Sequence, residues 1–306
     1  MDRAPPIRTA EFVMEEIEYD QMSNAKTKKI GRKKDAGGNY TSDPMETQTL
    51  DYNIGGNFLG VNRAEMLGAN GQHATRYFAF ELGYDKLTNA AGRNFTAAQY
   101  NGNLAGMVWK TNGDGIRRKY DFSYDNAHRL WKGLYEQNDQ SSTWGTTLTN
   151  FTVQMGNGVS ATTAYDPNGN ILQMQQWGVK VTGPAQIDNL NYNYYANSSR
   201  LKNIVDFNND VNTKLGDFRY STLYNTALGG TKTSGATDYE YDAGGNLKKD
   251  RNKDVGDASN DGIVYNILNL PQTITVRTTG GAVKGTITYT YDAKGMKMKK
   301  VVTETG

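Results

Sequence analysis

Tyr120-Asp121-Phe122-Ser123-Tyr124-Asp125-Asn126-Ala127-His128-Arg129-Leu130 carries the two signals that decide the fold. Tyr120, Phe122 and Tyr124 alternate with polar residues, the period-two pattern of a half-buried strand. The residues after Tyr124 have the composition of a turn, and Leu130 resumes an apolar run. The phrase returns as Tyr165-Asp166-Pro167-Asn168-Gly169-Asn170-Ile171 and Tyr241-Asp242-Ala243-Gly244-Gly245-Asn246-Leu247. Looser copies are Tyr52-Asn53-Ile54-Gly55-Gly56-Asn57-Phe58, Tyr195-Ala196-Asn197-Ser198-Ser199-Arg200-Leu201 and Tyr291-Asp292-Ala293-Lys294-Gly295-Met296. Tyr100-Asn101-Gly102-Asn103-Leu104 and Tyr265-Asn266-Ile267-Leu268-Asn269-Leu270 are contracted forms. A phrase that recurs every 20–50 residues or so marks a repeat architecture.

Each copy reads as strand, tight turn, strand. Ile287, Tyr289 and Tyr291 share one face while Thr286, Thr288 and Thr290 share the other, and Tyr239 and Tyr241 form a shorter version. Aromatic and β-branched residues suit such a pleated surface. Gly and Asn accept positive φ, Pro fixes its own φ, and Asp or Asn bonds the backbone two residues on. Each Tyr-Asx pair is therefore a packed ring beside a turn-forming side chain. A catalytic constellation is assembled once, not in every repeat. The expected fold is all-β: repeated antiparallel hairpins wound as a curved or spiral sheet, with helix below about a tenth of the chain. The nearest thing to a helix, Glu11 to Met22, is short and β-branched. Residues 1–44 are expected to be extended strands that continue the array, and 45–306 the repeat region proper.

Apolar content of 37% and a net charge of +2 over 306 residues fit a sheet with much turn and one wet face. The balance excludes the strong basic field of a nucleic-acid binder. The one basic run, Lys26, Lys28, Lys29, Arg32, Lys33 and Lys34, lacks interleaved aromatics and reads as a solvated strand. Cysteine is absent, which removes disulfides, thiolate catalysis and cysteine metal sites. No stretch approaches the roughly 18 apolar residues of a membrane span, and Met1 to Ala10, with Pro5-Pro6, has no signal-peptide core.

Candidate chemistry is thin. The two histidines, His73 and His128, lack converging partners in the sequence, and His128 occupies a turn slot of the repeat. There is no nucleophile elbow, and Gly229-Gly230 has no phosphate-loop lysine. Asp250, Asn252, Asp254 and Asp261 loosely imitate a calcium loop, but Val255 stands where the sharp-turn glycine belongs, and Arg251 and Lys253 oppose a cation. No catalytic, cofactor or metal residues are therefore assigned.

The copies resemble the Tyr-Asp repeat of RHS (rearrangement hot spot) proteins, which include bacterial polymorphic toxins, the C component of insecticidal toxin complexes and the animal teneurins. Gln99 to Lys110, Tyr120 to Leu130 and Tyr265 to Pro271 look like segments common in RHS proteins of Bacteroidota, and Leu50 to Ile54 like an earlier strand of the same array. The resemblance covers roughly 45–302. It implies a ribbon of strands wound into a hollow shell that encloses or displays a C-terminal toxin or effector. It also implies export to the cell surface or beyond, with the rest of the polypeptide, its cargo or the secretion machinery as partners. The self-cleaving members carry a downstream Asp-Pro-rich core. Here the Asp-Pro pairs are Asp43-Pro44 and the repeat turn Asp166-Pro167, and the sequence stops just after a repeat, so neither autoproteolysis nor toxin activity is assigned to it, and the expectation is a fragment or short unit of a larger exported protein.

Two functions compete: a non-catalytic shell wall, and a surface module that holds glycans or protein on exposed aromatics. The tryptophans, Trp109, Trp131, Trp144 and Trp177, discriminate. Packed against sheet they are wall; gathered in one outward groove they favour binding.

Overall fold

A computed structural model describes residues 11–66, 76–138, 143–208, 218–278 and 280–305. His73 lies outside these residues. Among the described residues the fold is mostly antiparallel β-sheet, 47% strand and 6% helix. The chain divides into two compact units, residues 1–153 with 181–184, and residues 154–180 with 185–306.

In the first unit the strands follow chain order, each antiparallel to the next: β1 (Glu11–Tyr19), β2 (Ala25–Lys34), β3 (Glu46–Tyr52), β4 (Phe58–Val61), β5 (Phe78–Gly83), β6 (Gly106–Thr111), β7 (Arg117–Tyr124) and β8 (Leu130–Asn138), with the short β9 (Trp144–Gly145) on β8. Glu11 to Met22, the nearest approach to a helix in the sequence, is thus strand β1 and its turn. The alternation sorts two faces. Phe80 faces Trp109 across β5 and β6, Met107 faces Tyr120, and Tyr120 faces Tyr135. Trp109 stacks on Tyr120 (5.6 Å, 20°), and Tyr120 on Phe122 (5.9 Å, 11°). The opposite face carries Ala79, Glu81, Val108, Lys119 and Asp121, all buried.

The segment 84–105 is bonded to that second face. The Ala90 N–H donates to Glu81, the Thr96 N–H to Asp121 (3.0 Å), and Lys119 Nζ to the Asn94 carbonyl (3.0 Å). Ala91, Phe95 and Ala105 from this segment pack with Met66, Ala79 and Val108 into the apolar core. Gly83 and Gly106, paired across β5 and β6, are the floor beneath the Phe95 ring. A Cβ on Gly83 would stand 2.2 Å from Phe95, and one on Gly106 2.4 Å from it. Bare backbone at both positions is what lets the ring lie flat.

β10 (Val153–Met155) straddles the division between the units. In the second unit β11 (Gln173–Lys180), β12 (Gly183–Tyr194) and β13 (Leu201–Asp206) are successive neighbours; β14 (Tyr239–Tyr241) pairs with β15 (Leu247–Asp250); and β16 (Ile263–Tyr265), β17 (Pro271–Arg277), β18 (Val283–Tyr291) and β19 (Lys297–Glu304) form a four-stranded sheet. One helix that the sequence reading did not anticipate, α1 (Thr222–Leu228), is capped by Ser221, whose hydroxyl accepts from the Tyr224 N–H (3.0 Å), and closed by Gly229 at φ 64°. Those termini are ordinary capping chemistry, but seven residues give too few turns to show a periodic pattern.

Gly83→Ala and Gly106→Ala are each expected to lower stability by about 1–3 kcal/mol, the first through displacement of Phe95 and the second through Phe95 and the Tyr120 backbone carbonyl together. The check is the urea midpoint; values within error of the parent chain would contradict the packing.

Candidate functional site

The repeated phrase builds one turn many times over. Its Asp or Asn accepts, on Oδ1, the backbone N–H four residues later: Arg129 onto Asp125 (2.9 Å), Asn170 onto Asp166 (2.8 Å), Asn246 onto Asp242 (2.8 Å), Asn57 onto Asn53 (2.8 Å), Leu270 onto Asn266 (3.0 Å) and Met296 onto Asp292 (2.8 Å). The position before that donor has positive φ: Gly56 79°, His128 60°, Gly169 88°, Gly245 90°, Asn269 56° and Gly295 82°. His128 therefore holds a left-handed backbone slot, and its ring Nδ1 lies 2.8 Å from Asn101 Nδ2. In several turns the second carboxylate oxygen is also used. Arg129 Nε reaches Asp125 (2.7 Å), and the side-chain amides of Asn170 and Asn246 reach Asp166 and Asp242 (2.7 and 2.9 Å). These contacts explain the Gly-Asn and polar-Arg endings of the phrase.

The bonds set the carboxylate titration. The Asn170 side chain holds Asp166 below its ordinary 3.8, and the Asn246 side chain and N–H do the same for Asp242. At Asp125 burial pushes upward, but the Arg129 N–H and guanidinium outweigh it.

The tyrosine does more than pack. Six phenols donate to the carbonyl of the first residue after the preceding turn: Tyr84 to Phe58 (3.2 Å), Tyr124 to Leu104 (3.0 Å), Tyr194 to Ile171 (2.8 Å), Tyr241 to Leu201 (3.0 Å), Tyr265 to Leu247 (2.9 Å) and Tyr291 to Pro271 (2.9 Å). Each bond ties a hairpin to the one before it. Burial pushes the hydroxyls of Tyr124, Tyr194, Tyr241 and Tyr265 above their ordinary pKa, so they remain protonated donors throughout the physiological range.

Two assignments made from the sequence need correction. Tyr100 is not packed; it is 85% exposed. The phrase there is split: Tyr84 closes β5, while Gly102, Asn103 and Leu104 supply the far side of the same hairpin, with 85–99 inserted between. Tyr195 is one residue off: Tyr194 is the residue paired with Leu201, because that turn holds an extra residue. Tyr195 instead donates to the Tyr239 carbonyl (2.7 Å) and stands edge-on to Tyr241, whose ring also faces Arg200. Tyr52 packs on Phe58 (5.4 Å) and Tyr165 bridges Ile171, while Leu130 is 42% exposed. Two further turns were missed. Asp20 accepts from the Asn24 N–H and Asp35 from the Asn39 N–H (both 2.9 Å).

The strongest cluster of ionisable groups lies in the second unit. Lys232 and Asp238 form a buried pair at 2.5 Å. Lys232 also reaches Asn252 (3.0 Å), beneath the rings of Phe218, Tyr220 and Tyr224. Asp238 further accepts the Ile204 N–H and the Tyr224 hydroxyl (3.0 Å each). Burial lowers the Lys232 pKa and raises those of Tyr224 and Asp250. Both charged partners are sealed from solvent, at 2% and 0% side-chain exposure. The cluster therefore works as a knot that fastens the α1 segment to β13, not as a place where substrate enters. A cleft of about 520 Å³ beside α1, lined by Leu223, Ala227, Leu228 and Ala258 among others, borders the knot at Tyr224.

The aspartates of the calcium-like loop are used separately. Asp250 caps Arg251–Lys253 through the Asn252 N–H, and Asp261 pairs with Lys248 (2.9 Å). The tryptophans do not gather in the first unit. Trp144 packs against the alanine-rich core, while Trp109 stacks in the ring row on the opposite face. No helix among the described residues is long and apolar enough to cross a membrane. No family model and no curated protein matches this sequence.

Tyr241→Phe and Tyr265→Phe are each expected to cost about 0.5–1.5 kcal/mol, the net worth of one hydrogen bond, with Tyr100→Phe neutral. Equal denaturant midpoints for all three would reject the phenol bond. The acid limb gives a second check. Folded-state values below the ordinary 3.8 at Asp125, Asp166 and Asp242 mean that their contribution is complete above the unfolded pKa and is lost as pH falls through the folded one. Replacement of all three by Asn, which Asn53 and Asn266 show the slot accepts, is expected to flatten the stability profile below about pH 4; an unchanged acid slope would contradict this.

Proposed function

We propose that this chain is a non-catalytic wall module of the RHS, Tyr-Asp repeat kind: a curved ribbon of antiparallel hairpins, part of an exported protein, that encloses or displays a toxin or effector segment. The observation that carries the reading is the phenol bond from one hairpin to the last. It recurs with the same donor position and the same acceptor position, so the chain grows by adding hairpins to an edge rather than by building a new core. Right-handed twist accumulated over such additions coils a ribbon. The buried charges support the same reading, since each is spent on fastening a covering segment to the sheet.

A second reading has its own observation. The half-buried row Phe80, Trp109, Tyr120 and Phe122 presents ring faces of the kind that hold sugars or an apolar peptide, and would make the module a surface binder.

Limited proteolysis separates the two. The protein is expressed together with the sequence encoded next to it. If the repeat is a wall, the neighbouring segment resists protease while the repeat is folded and becomes cleavable once urea unfolds it. Equal digestion with and without the repeat overturns enclosure. Saturable binding of oligosaccharides, lost on Trp109→Ala, would put the second reading in its place.

A further inference from the structure

β19 and β1 are edge strands, each with one neighbour among the described residues. Their lysines and glutamates guard against indiscriminate pairing, but large apolar side chains stand exposed between those charges. Phe12 (55%), Met14 (76%), Met298 (65%) and Val302 (56%) are exposed on them. Each edge also carries half of the repeat's own joint. Tyr19 stands where the stapling tyrosines stand: it closes β1, pairs with Ala25 across a bulge and precedes the Asp20 turn. It is 63% exposed, and its phenol has no hydrogen-bond partner among the described residues. Lys297 is the first residue after the Asp292 turn and pairs with Tyr291 across the same bulge. It is the counterpart of Leu247 and Pro271, whose carbonyls accept a phenol from the following hairpin.

The register of such a joint is fixed. At four joints where a new hairpin is laddered onto the last, the residue two past the post-turn position faces the residue three before the tyrosine. Thr27 faces Thr49, Gly60 faces Glu81, Gly106 faces Asp121 and Thr273 faces Thr288. The same rule applied to β19 and β1 sets Lys299 opposite Glu16. Lys300 then faces Glu15 and Lys297 faces Glu18. Met298 meets Ile17, Val301 meets Met14, Val302 meets Val13, and Thr303 meets Phe12. Every lysine falls opposite a glutamate and each of Met298, Val301 and Val302 opposite an apolar residue. The one like-charge pair, Glu304 with Glu11, lies at the ends of the two strands.

From this we infer that β19 of one molecule receives β1 of a second copy of this chain, in the register of the repeat, with the Tyr19 hydroxyl donating to the Lys297 carbonyl. Glu15 and Glu16 already pair with Lys28 and Arg32 of their own hairpin, so the added lysines complete a row of alternating charge across three strands. The contact joins two different surfaces. It is therefore heterologous, and propagates head to tail into a ring or a filament. The inference rests on the ladder geometry and holds whether or not the ribbon encloses anything.

The chain has no cysteine, so single substitutions report the joint cleanly. Met14→Cys and Val301→Cys chains of different mass are mixed and oxidised. The expected product is the mixed disulfide, well in excess of either homodimer. A Met14→Cys with Val302→Cys mixture, one residue out of register, should give roughly ten-fold less. Lys299→Glu with Lys300→Glu in the second chain should cut the yield about ten-fold, since like charges directly opposite repel. Glu15→Lys with Glu16→Lys in the first should restore it. No mixed disulfide above the homodimer level, equal yields in and out of register, or no rescue by the charge swap each overturns the inference. The cysteine arms alter no charge, so they decide the matter even if a charge-reversed chain fails to fold.

Discussion

A tyrosine hydroxyl bonded to a backbone carbonyl of the previous hairpin is the contact on which the rest of this structure depends. A hairpin in isolation is marginal in water, and the buried cluster of the first unit is small: Met66, Phe95, one valine and three alanines. What substitutes for bulk is repetition. Each phenol from Tyr84, Tyr124, Tyr194, Tyr241, Tyr265 or Tyr291 reaches a carbonyl at one fixed place. That place is the first residue after a turn, where the bulge turns the backbone away from its own partner. The ring contributes its apolar face to the sheet, the hydroxyl satisfies an acceptor, and the register of the next strand is set at the same point.

The Asx turn serves that contact. Its Oδ1 bonds and left-handed slot hold the tyrosine six residues before its partner: Tyr52 with Phe58, Tyr124 with Leu130, Tyr241 with Leu247 and Tyr265 with Pro271. The buried charges serve a different need. Segments such as 84–105 cross a sheet face with backbone groups that must find partners. Glu81 and Asp121 supply acceptors on that face, and Lys119 a donor. The Lys232–Asp238 pair does the same for the segment around α1. Removing one member of such a pair would strand the other, at a cost of about 3–5 kcal/mol.

The turns were legible because their chemistry is local. Asp or Asn, a residue tolerant of positive φ and a polar residue fall at fixed offsets, and alternation before them marks the strand. The phenol bond was not legible, because donor and acceptor lie in different hairpins. The tyrosine heads were misread at two places for concrete reasons. At 84 an inserted segment parts the head from its Gly-Asn-Leu ending, and the exposed Tyr100 imitates it. At 194 two tyrosines are adjacent, and one extra turn residue shifts the count. Tyr19-Asp20 escaped notice because its turn is Gln21-Met22-Ser23-Asn24, without glycine; Ser23 takes the left-handed slot at φ 65°. The charged knots gave no pattern at all, since a lysine destined for burial looks like any other.

The most direct measurement is hydroxyl-proton exchange at individual tyrosines, read from the isotope shift on ring ζ-carbons in mixed light and heavy water and assigned by Phe substitution. The account predicts slow exchange at Tyr84, Tyr124, Tyr194, Tyr241, Tyr265 and Tyr291, with Tyr100 exchanging freely. Exchange at those six as fast as at Tyr100 would contradict it.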